Sequence, residues 1–135
     1  MIKANIEKYK EQLDMFSDHF ERYQYMMDCG KNATPFPEEF RIDDFKVPGC
    51  VSQVWLVPKF ENGIVTYMSD SDAFITKGTV TILCDVFSGH TPKEIVDNEI
   101  DVTRELNFGN TLTAQRRNGA YNMIIKIKEY AEKCL

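Results

Sequence analysis

The chain has 135 residues, 43% of them hydrophobic and 27% charged. That is the size and balance of one globular domain (1–135), and it excludes the disordered and fibrous classes. Lys and Arg number 16 against 21 Asp and Glu, for a net charge of −5, which runs against a phosphate-backbone binder, so no nucleic-acid partner is expected. No apolar run approaches the ~20 residues of a membrane span, and the opening Met1-Ile2-Lys3-Ala4-Asn5 carries no apolar signal region. A cytoplasmic protein without membrane association is expected, its cysteines (Cys29, Cys50, Cys84 and Cys134) remaining thiols.

Ile6, Tyr9, Leu13, Phe16, Phe20, Tyr23 and Met27 recur in steps of three and four, which draws one apolar helical stripe. Asp18 with Glu21 reads as a capping box, so the stripe divides into two helices, about 2–16 and 18–29, bent at Ser17. Gly30 is then expected to end the second by turning left-handed. Pro35 and Pro37 break the pattern, and Pro37-Glu38-Glu39-Phe40 predicts a single turn in a loop anchored by Phe36, Phe40 and Phe45. Two β-branched and aromatic runs, Val51–Val57 and Ile64–Met68, predict strands. Asn62-Gly63 lies in the turn between them, and the stretch from Pro58 predicts a bulged or wider hairpin. Lys46–Pro48 is the candidate for a third strand.

Ser69-Asp70-Ser71-Asp72 reads as helix capping ahead of a helix through Ile75, Thr79, Ile82 and Val86. That helix is apolar over much of its girth and is expected at the centre. Gly78 within it loses about 1 kcal/mol of helix propensity unless a neighbour packs closely there. Thr91-Pro92-Lys93-Glu94 starts a short helix with its own capping box, and a last helix runs from about Thr113 to Lys133. The order predicts an α+β fold: a small antiparallel sheet of two to three strands packed against several helices.

Cys50 stands apart from the other thiols. It follows the turn pair Pro48-Gly49 and precedes a strand, a junction that presents one side chain while the strand behind holds it. Two readings stand: a nucleophilic thiol, whose polarizable sulfur attacks sulfur or carbon well, or a small apolar filler beside the sheet. Cys84 reads as a core thiol, Cys29 as a helix-end residue and Cys134 as a mobile terminal one. A Cys50–His90 dyad stays open, although His90 is explained as a surface turn residue. No H-E-x-x-H, Cys/His cluster, P-loop or dinucleotide fingerprint occurs, so neither a metal nor a cofactor is expected.

Gly49-Cys50-Val51-Ser52-Gln53-Val54-Trp55 resembles the signature of the SufE/CsdE family of sulfur-acceptor proteins. The resemblance extends through Pro37–Arg41, Asp70–Ala73 with Ile75, Lys77 and Gly78, Ser88-Gly89 with Thr91-Pro92 and Ile95, and Leu112-Thr113 with Arg116, Asn118 and Gly119. It implies a compact α+β domain with Cys50 on a loop at one edge, shielded by apolar residues at rest. It further implies that Cys50 takes persulfide sulfur from a pyridoxal-phosphate-dependent cysteine desulfurase, stimulates that enzyme and relays the sulfur to an iron–sulfur cluster scaffold. Such a protein is a sulfur-transfer partner rather than an enzyme; the alternative is a regulatory module that binds a desulfurase or scaffold without carrying sulfur. Asp72 and Arg116 align with family residues that shape the cysteine's surroundings, while helix capping and surface charge are their plainer explanations. Val51 departs from the usual glutamine, and Ala114-Gln115 and Arg117 depart from the usual block around Arg116.

Overall fold

The computed structural model describes residues 1–135. The first two helices are α1 (Ile2–Asp14) and α2 (His19–Lys31), separated at the expected break. The Asp18 carboxylate accepts a hydrogen bond from the Phe20 N–H at 2.8 Å, an N-cap without the returning Glu21 bond of a full box. Two 3-10 turns, Glu38–Phe40 and Asp43–Phe45, follow. Phe40 packs edge-on against both Phe36 and Phe45, the expected anchor of this loop.

Strands β1 (Val54–Glu61) and β2 (Ile64–Ser71) form a two-stranded antiparallel sheet, in register from Val54↔Ser71 to Glu61↔Ile64. The hairpin is tighter than expected. Asn62 (φ 53°) and Gly63 (φ 80°) make a two-residue turn of the kind that matches strand twist. The strand continues through Pro58 because the Pro58↔Tyr67 pair calls for no inward donor. Tyr67, opposite Pro58, sends its own N–H away to Ser88 Oγ at 2.9 Å. Lys46 adds only a single bridge to Trp55, with the Val47 N–H donating to the Val54 carbonyl at 2.9 Å. It is not a third strand.

Helix α3 (Phe74–Phe87) is the central element, ten of its fourteen residues buried. Its start is not capped as expected: Ser69, Asp70 and Ser71 belong to β2, and Ala73 occupies the cap position without a side-chain bond. Gly78 explains itself by packing. A Cβ there would run into the Met26 carbonyl, and one on Gly30 would come to 2.8 Å from the Gly78 nitrogen. Gly30 is therefore a helix-crossing residue inside α2, not a left-handed terminator. Helix α4 (Pro92–Val96) has the predicted capping box between Thr91 and Glu94. Two short helices without an earlier signal, α5 (Val102–Glu105) and α6 (Phe108–Thr111), lead to α7 (Ala114–Glu132). Tyr67 ties the sheet to α7 by donating to the Ile127 carbonyl at 2.7 Å. Leu56, Met26, Phe87, Phe108 and Ile127 close the core between them. No helix is long and apolar enough to cross a membrane.

Candidate functional site

The bridge at Lys46↔Trp55 and the Val47–Val54 hydrogen bond close a loop, residues 48–53, at the open end of the hairpin. Gly49 takes φ +77° at its turn, a conformation that favours glycine. This bend lays the next residue, Cys50, against α7. Its Sγ donates to the Gly119 carbonyl at 3.7 Å, and a Cβ on Gly119 would touch that sulfur at 3.4 Å. The thiol is thus half-buried, turned inward, while its neighbour Val51 is 78% exposed. The junction presents Val51 to solvent and shelters Cys50.

The sulfur opens into a cleft of about 230 Å³ lined also by Ser52, Thr76, Thr113, Gln115, Arg116 and Met123. Arg116 is the only charged side chain in that lining. It lies in the first turn of α7, whose N-terminal end carries a partial positive charge, so the cleft favours an anion on both counts. Thr113 caps this end, its side chain accepting from the Arg116 N–H at 3.3 Å. The Arg116 guanidinium is steadied by donating to the Tyr23 hydroxyl at 3.1 Å. Burial nonetheless pushes the Cys50 thiol pKa up, so the closed form holds a protonated sulfur.

Asp72 is exposed and does not line the cleft. Its carboxylate accepts from the Gln53 N–H at 3.0 Å and from the Gln53 side-chain amide at 3.2 Å, which clips the far end of the cysteine loop. Cys50 and Arg116 therefore share one cavity, and Asp72 reaches them through the loop. Asn122 and Gly119 from α7 and Thr76 from α3 were not picked out as site residues from sequence. Only Arg116, through the family resemblance, signalled that this face of α7 belongs near the cysteine.

His90 takes no part. It is buried at 7% exposure, its carbonyl accepts from the Val65 N–H, and its Nδ1 lies 3.1 Å from the Phe87 carbonyl. The surface-turn expectation and the Cys50–His90 dyad both fall with that placement, because the β2 edge takes up the backbone around His90. Cys84 is a core thiol as read, burial raising its pKa to about 12. Cys134 is half-buried, its Sγ donating to the Tyr130 carbonyl at 3.4 Å, rather than loose. No group of three or more His, Cys, Asp or Glu side chains gathers at a spacing suited to a metal ion.

The sequence profile of SufE, the Fe-S metabolism associated domain, matches residues 7–131. A SufE-like protein of Rhizobium meliloti is 39% identical over 123 residues, covering 87% of this chain and 88% of that one. A cysteine desulfuration protein SufE of Plasmodium falciparum is 29% identical over 138 residues, covering 95% of this chain and 55% of that one. The solution structure of a hypothetical protein from Thermus thermophilus shares the fold, with a TM-score of 0.78 over 96% of this chain and 94% of that one, at 15% identity. A family profile that spans nearly every element goes well beyond the single Gly49–Trp55 motif, whose Gly49 and Cys50 lie against α7: the chain belongs to the SufE family.

Proposed function

We infer that this protein is a sulfur carrier that acts through Cys50, with a pyridoxal-phosphate-dependent cysteine desulfurase as donor and an iron–sulfur cluster scaffold as recipient. The observation that carries the reading is the sheltered thiol at the tip of a clipped loop, facing a cleft whose only charge is Arg116. The family's link to Fe-S metabolism and the Plasmodium relative's name as a cysteine desulfuration protein support the same chemistry.

The transfer balances without an oxidant. The Cys50 thiolate attacks the outer sulfur of a donor Cys–S–SH; a Cys50–sulfur bond forms as the donor's S–S bond breaks. The electron pair of the broken bond leaves on the donor thiolate, and Cys50–S–SH remains. Because the two sides are nearly alike, direction follows thiol acidity, local hydrogen bonds and onward delivery. The raised Cys50 pKa keeps the idle thiol protonated and unreactive toward stray electrophiles. Docking that swings the loop outward removes the burial that raised it, and so generates the nucleophile where the donor persulfide waits. The persulfide S–H gives its proton to the departing donor thiolate, and Arg116 and the α7 N-terminus then stabilise the anionic persulfide when the loop folds back. Asp72 positions the loop through Gln53 and touches no reacting atom.

The test is incubation with a cysteine desulfurase, cysteine and pyridoxal phosphate, followed by intact-mass measurement. A gain of about 32 Da, one sulfur atom, that disappears in Cys50→Ser is expected. Binding to the desulfurase with no mass gain would instead make the protein a regulatory module.

A further inference from the structure

The cysteine loop is held at three points, the first two being the Asp72 clip at Gln53 and the Cys50 thiol at Gly119. The third is Asn122 of α7, one turn beyond Gly119 in the chain. Its side-chain amide Nδ2 donates to the Gly49 carbonyl at 3.2 Å, directly before the cysteine. The fit is steric as well as polar. A Cβ on Gly49 would collide with the Asn122 amide nitrogen, so the bare glycine makes the room in which this donor sits. Gly49 is exposed and its N–H and carbonyl take no part in the hairpin ladder. The Asn122 amide is thus the one side chain that restrains the entry side of the loop.

We propose that Asn122 is a positioning residue for Cys50, its amide latching the Gly49 carbonyl so that the loop stays closed until a partner displaces it. The proposal rests on the reading of Cys50 as the sulfur acceptor, but its first consequence is independent of any desulfurase. Alkylation of Cys50 proceeds through the open loop, so its rate follows the open fraction. The solvent-facing amide–carbonyl bond is of ordinary strength, and its loss raises that fraction about two- to tenfold. The partner binds the open loop, so the concentration of this protein that half-saturates a desulfurase falls by the same factor, while the saturated rate is unchanged.

The experiment measures per-thiol alkylation by peptide mass spectrometry in wild type, Asn122→Ala and Asn122→Leu, with thermal melting alongside. Leucine keeps the bulk of the side chain and loses only the donor. Faster labelling of Cys50 in both variants, with Cys29 and Cys134 unchanged, is expected. A rate unchanged in either variant, or one that rises together at all three thiols, overturns the latch; the latter outcome is general loosening. Sulfur-transfer titrations complete the test. A half-saturation point that stays put while Cys50 labelling accelerates removes Asn122 from the transfer reaction. Wild-type protein that gains no sulfur sinks the carrier reading alone and leaves the labelling result standing.

Discussion

At the scale of single residues, the chemistry is set by where one sulfur points. Burial alone raises the Cys50 pKa, with no carboxylate close enough to contribute and no base to offset it. The rate of alkylation of wild-type protein therefore inflects at a higher pH than that of an ordinary cysteine. Asp72→Ala removes both hydrogen bonds from the carboxylate to Gln53 and leaves only the bond from the backbone N–H of residue 72 to the Gln53 carbonyl at 3.3 Å, which loosens the loop at its exit side and exposes the sulfur. Its inflection is expected to move down toward the ordinary thiol value, with faster labelling at neutral pH. A stopped-flow pH profile of the two proteins checks both statements. Equal inflections would show that Asp72 does not govern shelter. The identity of Cys50 was legible in the sequence from its turn–strand junction and its family motif. Its shelter at rest followed only from the family resemblance; the contact that provides it was not legible, because only the packing of α7 beneath the loop sets the sulfur against Gly119.

Among the secondary elements, the crossing of α2 on α3 is the tightest joint. Gly30 and Gly78 bring the two backbones close enough that a methyl group on Gly78 meets the Met26 carbonyl, and backbone cannot move aside as a side chain does. Gly78→Ala gains helix propensity of about 1 kcal/mol, yet the overpacking outweighs that gain. A net loss of about 1–3 kcal/mol is expected, read from urea unfolding midpoints at unchanged slope. A stabilised variant would contradict the close approach. The hairpin shows a complementary economy: Pro58 stands where no inward donor is needed, and its missing N–H also blunts the outer edge of β1. Helix periodicity and the two capping residues, Asp18 and Thr91, were readable because they act within a few residues of sequence. The role of Gly30 was not, since a helix-ending glycine and a helix-crossing glycine look alike until the partner helix is in place.

Across the whole molecule, Asp70 joins parts that are far apart in the chain. Its buried carboxylate accepts from the Arg41 Nε at 3.1 Å and again from a second guanidinium nitrogen, and Lys77 Nζ stands 3.4 Å away. The loop before the cysteine, β2 and α3 are thereby fastened at one point. Burial by itself would raise the Asp70 pKa, but Arg41, the Ser71 amide and Lys77 together outweigh it and hold the carboxyl below the ordinary carboxylate range. A depressed folded pKa contributes stability that is complete above the unfolded value and disappears as pH falls through the folded one. Melting temperature should therefore drop more steeply on acidification, below about pH 4, in wild type than in Asp70→Asn. Parallel curves would show that the carboxylate is not coupled to folding.

What the sequence determined by itself is local or compositional: an α+β domain, the helix and strand periods, two helix starts, the place of the hairpin turn and the one cysteine set at a turn. These follow from interactions spanning a few residues, which any window of sequence contains. The tertiary structure alone decided what long-range packing decides. It took Asp72, readable as a helix cap or as a residue shaping the cysteine's surroundings, to the loop clip, buried His90 against the β2 edge, and brought Arg116, Gly119 and Asn122 under a loop some seventy residues earlier in the chain. The last of these placements depends on the surface that α7 offers to the open end of the sheet, and that surface exists only after the core has closed.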